Sequence, residues 1–272
     1  MVARHVRPGP PLGEFIDCLW YFDGYHATHA RERALPTGTA EIVLNLKDDC
    51  IRVFQSDRDF TGNCFRGAVV CGSHPGYFVI EPSQQQEVIG VHFKPGGAAP
   101  FLGAPAGEFT SQNLDLEDIW PASITRSLRA RLVEAVSPET KLRILEQALV
   151  SRLKPRLTPH PTAAFAIRRL LAAPAITRIG SMQQASGFSP KRFIQLFRDA
   201  SGLSPKVFCR IQRFQTVITQ IARGERIEWA EVAVASGYYD QPHLNREFRS
   251  FSGLSPAEYR PVAPDRPNHV AI

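Results

Sequence analysis

Short apolar segments bounded by turn-forming residues dominate the N-terminal part of the chain. Runs rich in Val, Ile and Phe are separated by Gly, Pro, Asn and Asp, as is typical of β-strands joined by tight turns. The predicted strands span residues 41–46, 51–54, 68–71, 77–80 and 87–93. Several short strands at this spacing predict a small barrel or sandwich.

Beyond these strands the apolar residues recur every three or four positions, which indicates amphipathic helices. Ser137 and Pro138 separate two such stripes. The stripes consist of Ile124, Leu128, Leu132 and Val136, followed by Leu142, Leu145, Leu149 and Leu153. Two interpretations remain open. The stripes cap the β-rich region, which we favour, or they pair with a second copy of the chain in a homodimer.

A proline-rich segment at residues 151–162 divides the chain, because Pro155, Pro159 and Pro161 each resist continuation of a helix. The pattern after it is helical, and Gly224 stops the fourth predicted helix, which reaches about Ala222. The predicted helices span residues 163–173, 179–186, 190–200, 205–222, 227–236 and 241–251. We therefore predict an α+β protein with two domains. Residues 1–155 form a β-rich, barrel-like domain that ends in two helices, and residues 156–272 form an all-α domain.

The pentapeptide SGLSP occurs twice, at residues 201–205 and 252–256. Each copy follows a Ser-Gly-aromatic turn and an amphipathic run. A short helix, a tight turn and a second helix form the pattern of a helix-turn-helix unit. Ser189 and Asp240 are suited to cap the second helix of each unit. We predict two such units, at about residues 176–201 and 227–252.

The second helix of each unit has one face that is predicted to be buried. Phe193 with Phe197, and Leu244 with Phe248, define these faces by their spacing. The opposite faces carry Lys191, Arg192, Gln195 and Arg198 in the first unit, and Gln241, His243, Asn245, Arg246 and Arg249 in the second. Arg, Asn and Gln read bases in the major groove, and Lys and Arg neutralise phosphates. These residues are therefore DNA-binding candidates, and a solvated helix face is the alternative.

Charge is distributed unevenly along the chain. Residues 1–150 carry 14 Lys and Arg against 18 Asp and Glu, whereas residues 151–272 carry 18 against 8. The basic half favours a polyanion as partner, with a well-solvated surface as the alternative. The helix at residues 205–222 would be roughly 27 Å long. Successive major-groove segments on one face of DNA lie about 34 Å apart. One chain is thus suited to hold two reading units on one duplex.

The second unit closely resembles the signature of the AraC/XylS transcriptional regulators. Residues 235–249, followed by SGLSPAEYR at residues 252–260, carry the resemblance, which extends over residues 162–261. It implies a two-headed domain that binds specific DNA sequences, with RNA polymerase as a further partner. The implied base-reading positions are Lys191, Ile194, Gln195, Gln241, His243, Asn245 and Arg246. The first unit departs from the pattern at Gln183, where the family usually has a small residue such as Ala233.

Three N-terminal segments resemble the β-rich, cupin-like sensor domain that precedes this DNA-binding domain in many such regulators. They are LPTGTAEIVLNL at residues 35–46, HFKPGGAAPFLG at residues 92–103 and LDLEDIW at residues 114–120. The resemblance implies an effector pocket or a protein-interaction surface, and it does not name the ligand. The expected function is that of a transcription factor regulated by a small-molecule effector.

Motifs of other function classes are not found. Metal-binding cupins use an HxH pair, and His92 has no such partner, so a core or surface histidine is favoured over a metal ligand. The sequence has no GxSxG, P-loop or Rossmann glycine pattern. We expect no catalytic residue, no metal and no cofactor. A non-specific nucleic-acid-binding protein and a cupin-type enzyme fused to a DNA-binding domain are the alternatives.

Cysteine usage and hydropathy suggest a cellular compartment. The odd number of cysteines and the lack of a CxxC pair predict reduced thiols. No run approaches the length of a membrane span, and the first residues lack the apolar stretch of a secretory signal. A cytoplasmic protein is the expectation. The cysteines are Cys18, Cys50, Cys64, Cys71 and Cys209.

Overall fold

Antiparallel strands build the N-terminal region of the protein, whose computed structural model describes residues 2–222 and 228–272. The strands are β1 (Val2–Val6), β2 (Ile16–Asp23), β3 (Glu32–Ala34), β4 (Glu41–Asn45), β5 (Ile51–Phe54), β6 (Asn63–Phe65), β7 (Ala68–Cys71), β8 (Phe78–Ile80), β9 (Glu87–Phe93), β10 (Asn113–Asp115) and β11 (His269–Ala271). In this part of the chain they form a six-stranded sheet, ordered β1-β2-β9-β4-β7-β10, and a five-stranded sheet, ordered β11-β3-β8-β5-β6. The predicted β-rich region is confirmed, and β4, β5, β7, β8 and β9 are the strands that the sequence predicts.

Helices form most of the C-terminal region, which confirms the predicted fold class. Gly224 and Ile227, the predicted end and start of two helices, lie outside the described residues. No helix in the described ranges is long and apolar enough to cross a membrane. The α-helices are α1 (Ala99–Leu102), α2 (Leu116–Ile119), α3 (Ala122–Glu134), α4 (Pro138–Arg152), α5 (Pro161–Ala172), α6 (Ile179–Ala185), α7 (Pro190–Ser201), α8 (Pro205–Ala222), α9 (Trp229–Ala235) and α10 (Gln241–Ser252).

The inner strands β4 and β7 of the six-stranded sheet are buried on both faces. In β4, Ile42 and Leu44 join the core that includes the leucines of α3 and α4, whereas Val43 packs with residues of the five-stranded sheet. Val70 and Val69 of β7 divide between the two cores in the same way. Successive side chains of a strand point to opposite faces. A strand with two buried faces is therefore apolar throughout, which explains the continuous apolar runs of the sequence.

The two leucine stripes cap the six-stranded sheet, as the favoured interpretation predicts. The prediction is wrong for Ile124, which is 39% exposed, and for Val136, which is 97% exposed and follows the end of α3 at Glu134. Because the leucines are buried within the chain, they no longer support a homodimer, which stays a prediction. The buried residues of the stripes are Leu128, Leu132, Leu142, Leu145 and Leu149.

Cys50 and Cys64 form a disulfide, which corrects the prediction that all the thiols are reduced. Cys50 directly precedes β5, Cys64 lies in β6, and these two strands pair antiparallel. The pairing brings the two Cα atoms to 5.5 Å. The bond thus results from strand pairing and not from a local sequence motif. Cys18, Cys71 and Cys209 are free.

The segment after α10 returns to the N-terminal region, which the sequence did not predict. Its strand β11 pairs antiparallel with β3. Glu32 of β3 is fully buried behind this strand, 3.4 Å from Arg266 and 3.1 Å from Nδ1 of His269. The Tyr25 hydroxyl also donates a hydrogen bond to it. Burial alone would raise the pKa of Glu32, but its contacts with His269, Arg266 and Tyr25 lower the pKa to about 2.

Replacing the buried carboxylate should loosen the returning segment. We expect Glu32→Gln to lower the free energy of unfolding at pH 7 by about 3–5 kcal/mol, because Arg266 is left buried and unpaired. The folded-state pKa lies below the ordinary value of 4.5, so the carboxylate stabilises the fold above about pH 4.5. This contribution is lost as the pH falls towards 2, and the difference between the two proteins should shrink there. Urea unfolding at several pH values measures it.

Glu139→Gln is the matched control, because Glu139 pairs with Arg4 on the exposed surface. Its effect should be small at every pH. A loss in Glu32→Gln that is equally large at pH 7 and pH 3 would contradict the assignment.

Candidate nucleic-acid interface

Helix α8 carries both helix-turn-helix units. Phe197 of α7 packs edge-on against Phe208 near the start of α8, with ring centroids 5.5 Å apart. Phe248 of α10 packs in the same manner against Phe214, at 4.8 Å. The two second helices therefore rest on successive parts of one rod. The residues that the sequence predicts to be inward are all buried, namely Phe193, Phe197, Leu244 and Phe248.

Each unit turns at its predicted glycine. Gly187 and Gly237 have φ angles of +71° and +82°, a region that favours glycine. Ser189 and Asp240 then accept hydrogen bonds from the backbone N–H three residues later, so both predicted N-caps are confirmed. The caps fix the first residue of each second helix and, with the buried pairs, the direction of its outward face.

Gln183, where the first unit departs from the family pattern, closes the turn of that unit. Its Nε2 donates a hydrogen bond of 2.6 Å to the carbonyl oxygen of Phe188. In the second unit a backbone hydrogen bond of 2.9 Å from Tyr238 N–H to the oxygen of Ala233 closes the equivalent turn. The longer side chain thus replaces a backbone contact, and both turns are retained.

Two arginines that the sequence left unassigned hold the units on α8. Nε and Nη2 of Arg210 donate to the two carboxylate oxygens of Glu247 in α10, at 2.6 and 2.8 Å. Nε of Arg213 donates to the carbonyl oxygen of Pro174, which precedes the first unit, at 2.9 Å. Both side chains are directed to protein groups. No local sequence signal distinguishes them from arginines that bind phosphate.

The candidate residues of the first unit lie together on the exposed face of α7. Gln195 donates a hydrogen bond of 2.6 Å to Asp199, so a base would compete with this carboxylate for the amide. Ile194 is 45% exposed beside it. No basic residue of this face pairs with a carboxylate of the described chain. The exposed set is Lys191, Arg192, Ile194, Gln195 and Arg198.

In the second unit Gln241, Arg246 and Arg249 are exposed, whereas His243 and Asn245 are half-buried. Nδ1 of His243 accepts a hydrogen bond of 3.3 Å from the backbone N–H of Tyr239 in the preceding turn. The His243 ring packs edge-on against the ring of Tyr238. Arg249 lies 3.9 Å from a carboxylate oxygen of Glu258. Arg246 forms no ion pair with any described residue. Its guanidinium is therefore free to meet an external acceptor.

The N-terminal region contains a cavity of about 150 Å³ between its two sheets. The indole N–H of Trp20 is buried on its wall and approaches Glu41. A carboxylate oxygen of Glu41 lies 3.6 Å from Nδ1 of His92. Burial raises the pKa of Glu41, and the charge of His92 reduces this shift without cancelling it. Arg266 of the returning segment also lines the cavity. No group of three or more potential metal ligands occurs within the described ranges.

Two sequence families match parts of the chain. Residues 182–261 match a family described as a helix-turn-helix domain. Residues 4–115 match a family described as a domain of unknown function, DUF6597. The C-terminal part of the chain is an AraC-type helix-turn-helix DNA-binding domain, as found in transcription regulators of the AraC family. No curated protein matches the chain.

Solved structures of ToxT from Vibrio cholerae are similar over 89% of this chain. An apo single-substitution variant has 12% identity, a TM-score of 0.47 and 96% of its own chain covered. A complex of ToxT with an unsaturated fatty acid has 11% identity, a TM-score of 0.45 and 92% covered. A complex with a naphthalenyl butenoic acid has 10% identity, a TM-score of 0.44 and 96% covered. Because the identities and TM-scores are this low, the ligands of ToxT do not indicate which ligand this chain binds.

The turn glycines offer a matched test of the geometry. A Cβ on Gly187 would meet nothing within 4 Å, whereas a Cβ on Gly237 would lie 2.6 Å from Cα of Ala175. We expect Gly187→Ala to lower the free energy of unfolding by about 1 kcal/mol through backbone strain alone. Gly237→Ala should cost more, because a backbone contact must also shift. Urea unfolding of both variants measures the two losses in free energy of unfolding. Equal losses would contradict the prediction that Gly237→Ala is the more destabilising.

Proposed function

We propose that the protein is a sequence-specific transcription factor that reads two successive major-groove segments of double-stranded DNA. The observation that carries the proposal is a pair of equivalent outward faces on α7 and α10, both rich in basic and amide side chains, on two helices that pack on one helix. That helix, α8, has 18 residues, or roughly 27 Å. We place the domain boundary at residues 155/156 and the two units at about residues 176–201 and 227–252.

The residues of the two faces take different roles in this proposal. Arg192, Arg198 and Arg249 bind phosphates and set the position of the protein on the duplex. The base-reading residues are Lys191, Ile194, Gln195, Gln241, His243, Asn245 and Arg246, with Ile194 suited to a thymine methyl group. RNA polymerase is a proposed further partner, as for other regulators of this type.

The sharpest test compares Arg246 with Arg249. If Arg246 binds a guanine through both ring acceptors, Arg246→Ala should weaken binding to the preferred site by about 1–3 kcal/mol and relax the preference at one base pair. Binding to scrambled DNA should hardly change. Arg249→Ala should weaken binding to all sequences alike and reduce the salt dependence by about one phosphate contact.

The preferred site is obtained by selection from random DNA, and competition binding at several salt concentrations gives the affinities. Equal losses for Arg246→Ala on both DNAs would make Arg246 a phosphate contact, and no loss on either would remove it from the interface. If the unmodified protein binds selected and random DNA equally, the non-specific alternative is correct.

We also propose that the cavity between the two sheets binds a small effector and that the N-terminal region has no catalytic role. A cavity of about 150 Å³ holds a molecule about as large as benzene. Its aromatic walls, the buried indole N–H of Trp20 and the carboxyl group of Glu41 suit a small ring compound with a hydrogen-bond acceptor and a donor. A larger crevice of about 810 Å³ beside α5 is less suited, because it is open and lined by charges of both signs.

A substitution that fills the cavity tests this proposal. Val53 is buried and lines the cavity, so Val53→Phe should occupy the space that a ligand needs. Small ring compounds that raise the melting temperature of the unmodified protein should lose this effect in Val53→Phe. Val150→Phe, at a half-exposed position of α4, is the control and should retain it. Retention of every melting-temperature shift in Val53→Phe would exclude the cavity as the binding site.

A further inference from the structure

The two copies of the SGLSP repeat end the second helices of the two units in the same local geometry. The Ser201 hydroxyl donates to the carbonyl four residues earlier, and the Leu203 N–H donates back to that hydroxyl. Ser252 and Leu254 repeat both hydrogen bonds. Each serine is the last residue of its helix, where backbone carbonyls have no partner within the helix. The repeat thus presents the same unsatisfied carbonyl at two places.

The N-terminal region binds both of these carbonyls. Oγ of Ser73 donates a hydrogen bond of 2.8 Å to the carbonyl oxygen of Ser201, and this contact is buried. Nη1 of Arg33 donates a hydrogen bond of 3.0 Å to the carbonyl oxygen of Ser252. In addition, Oγ1 of Thr110 donates to the oxygen of Gly202 at the end of the first unit. Equivalent atoms of the two repeats therefore accept hydrogen bonds from one partner region.

Both approaches are close, and the repeat leaves room for them. A Cβ on Gly202 would lie 2.9 Å from Cβ of Ser73, and a Cβ on Gly253 would lie 2.7 Å from Nη1 of Arg33. Any larger residue at these positions would push the donor away. The glycine of the repeat thus permits the contact, while the preceding serine supplies the acceptor.

Arg33 is held rigidly for this contact. Nε and Nη2 donate to the two carboxylate oxygens of Asp57, and the guanidinium lies over the Tyr77 ring at 4.9 Å. The Tyr77 hydroxyl donates to the same carboxylate. The side chain of Arg33 is only 12% exposed. A guanidinium fixed on three sides presents its remaining N–H in one direction, so it constrains the helix end that it binds.

The middle of the rod is bound by the same region. Nε2 of Gln212 donates a hydrogen bond of 3.1 Å to the carbonyl oxygen of Thr37. Nε2 of Gln215 donates a hydrogen bond of 2.7 Å to the carbonyl oxygen of Pro36. The N-terminal region therefore contacts the end of the first unit, the connecting helix and the end of the second unit. These three places define the separation and the relative rotation of the two units.

We propose that Arg33, Ser73 and Thr110 are positioning residues for DNA recognition, which hold the two units at one separation by binding equivalent carbonyls of the repeat. This inference rests on the proposed function as a two-headed DNA reader. Ala34, Gly72 and His74 line the cavity. Arg33 directly precedes the first of them, and Ser73 lies between the other two. An occupant of the cavity would therefore touch the residues next to these donors.

The test uses the full chain with Arg33→Gln and Thr110→Val combined. The control combines Arg58→Gln and Thr61→Val, which make the same chemical changes at exposed positions of the N-terminal region. Affinity is measured on the selected two-segment site, on sites with one base pair inserted or deleted between the segments, and on a single segment. We expect the preference for the selected spacing to fall about three- to tenfold in the positioning variant, with unchanged affinity for the single segment. The control should keep the native preference.

An unchanged spacing preference in the positioning variant would overturn the inference. Hydrogen exchange without DNA provides a second readout that does not depend on the proposed function. Peptides that cover residues 201–204 and 252–255 should both exchange faster in the positioning variant than in the control. Unchanged exchange at both repeats would overturn the inference even if the protein proves to bind DNA non-specifically.

Discussion

The C-terminal region depends on the burial of one face of α8. Five large apolar side chains of this helix are buried, and each contributes about 1.5–3 kcal/mol by leaving water. The first unit packs at one end of this face, the second unit packs further along it, and Leu35 from the N-terminal region joins the same core. Both units are therefore anchored on a single helix, α8. The buried side chains are those of Phe208, Ile211, Phe214, Val217 and Ile218.

The sequence was sufficient where structure is set by neighbouring residues. The helices of the two units, their caps at Ser189 and Asp240 and the turn at Gly237 all depend on contacts within a few residues, so they could be predicted. Strands β1 and β11 could not be predicted. Strand β1 is mostly exposed, and only Val270 of β11 is buried. The partner of β11 is β3, which is separated from it by more than half of the sequence, and no local sequence pattern predicts such a pairing.

The candidate site was predicted in its chemistry but not in its full environment. The outward residues of α7 and α10 follow from helical periodicity, and the structure exposes most of them. The roles of Arg33, Arg210 and Arg266 were not predictable, because an arginine that binds a protein group has the same sequence context as one that binds phosphate. Arg266 is neutralised by Glu32 of the N-terminal half, so the excess positive charge of the C-terminal half overstates the charge that is available to DNA.

The returning strand β11 restricts how regulators of this architecture are recombined. A chimera that joins residues 156–272 to a foreign sensor domain would retain β11 without β3, its hydrogen-bonding partner. It would also carry Arg266 without Glu32, the carboxylate that neutralises it. An unpaired strand next to an uncompensated charge invites pairing between chains. A working chimera would require transplantation of β3 together with the helical region, or removal of the segment that follows Tyr259.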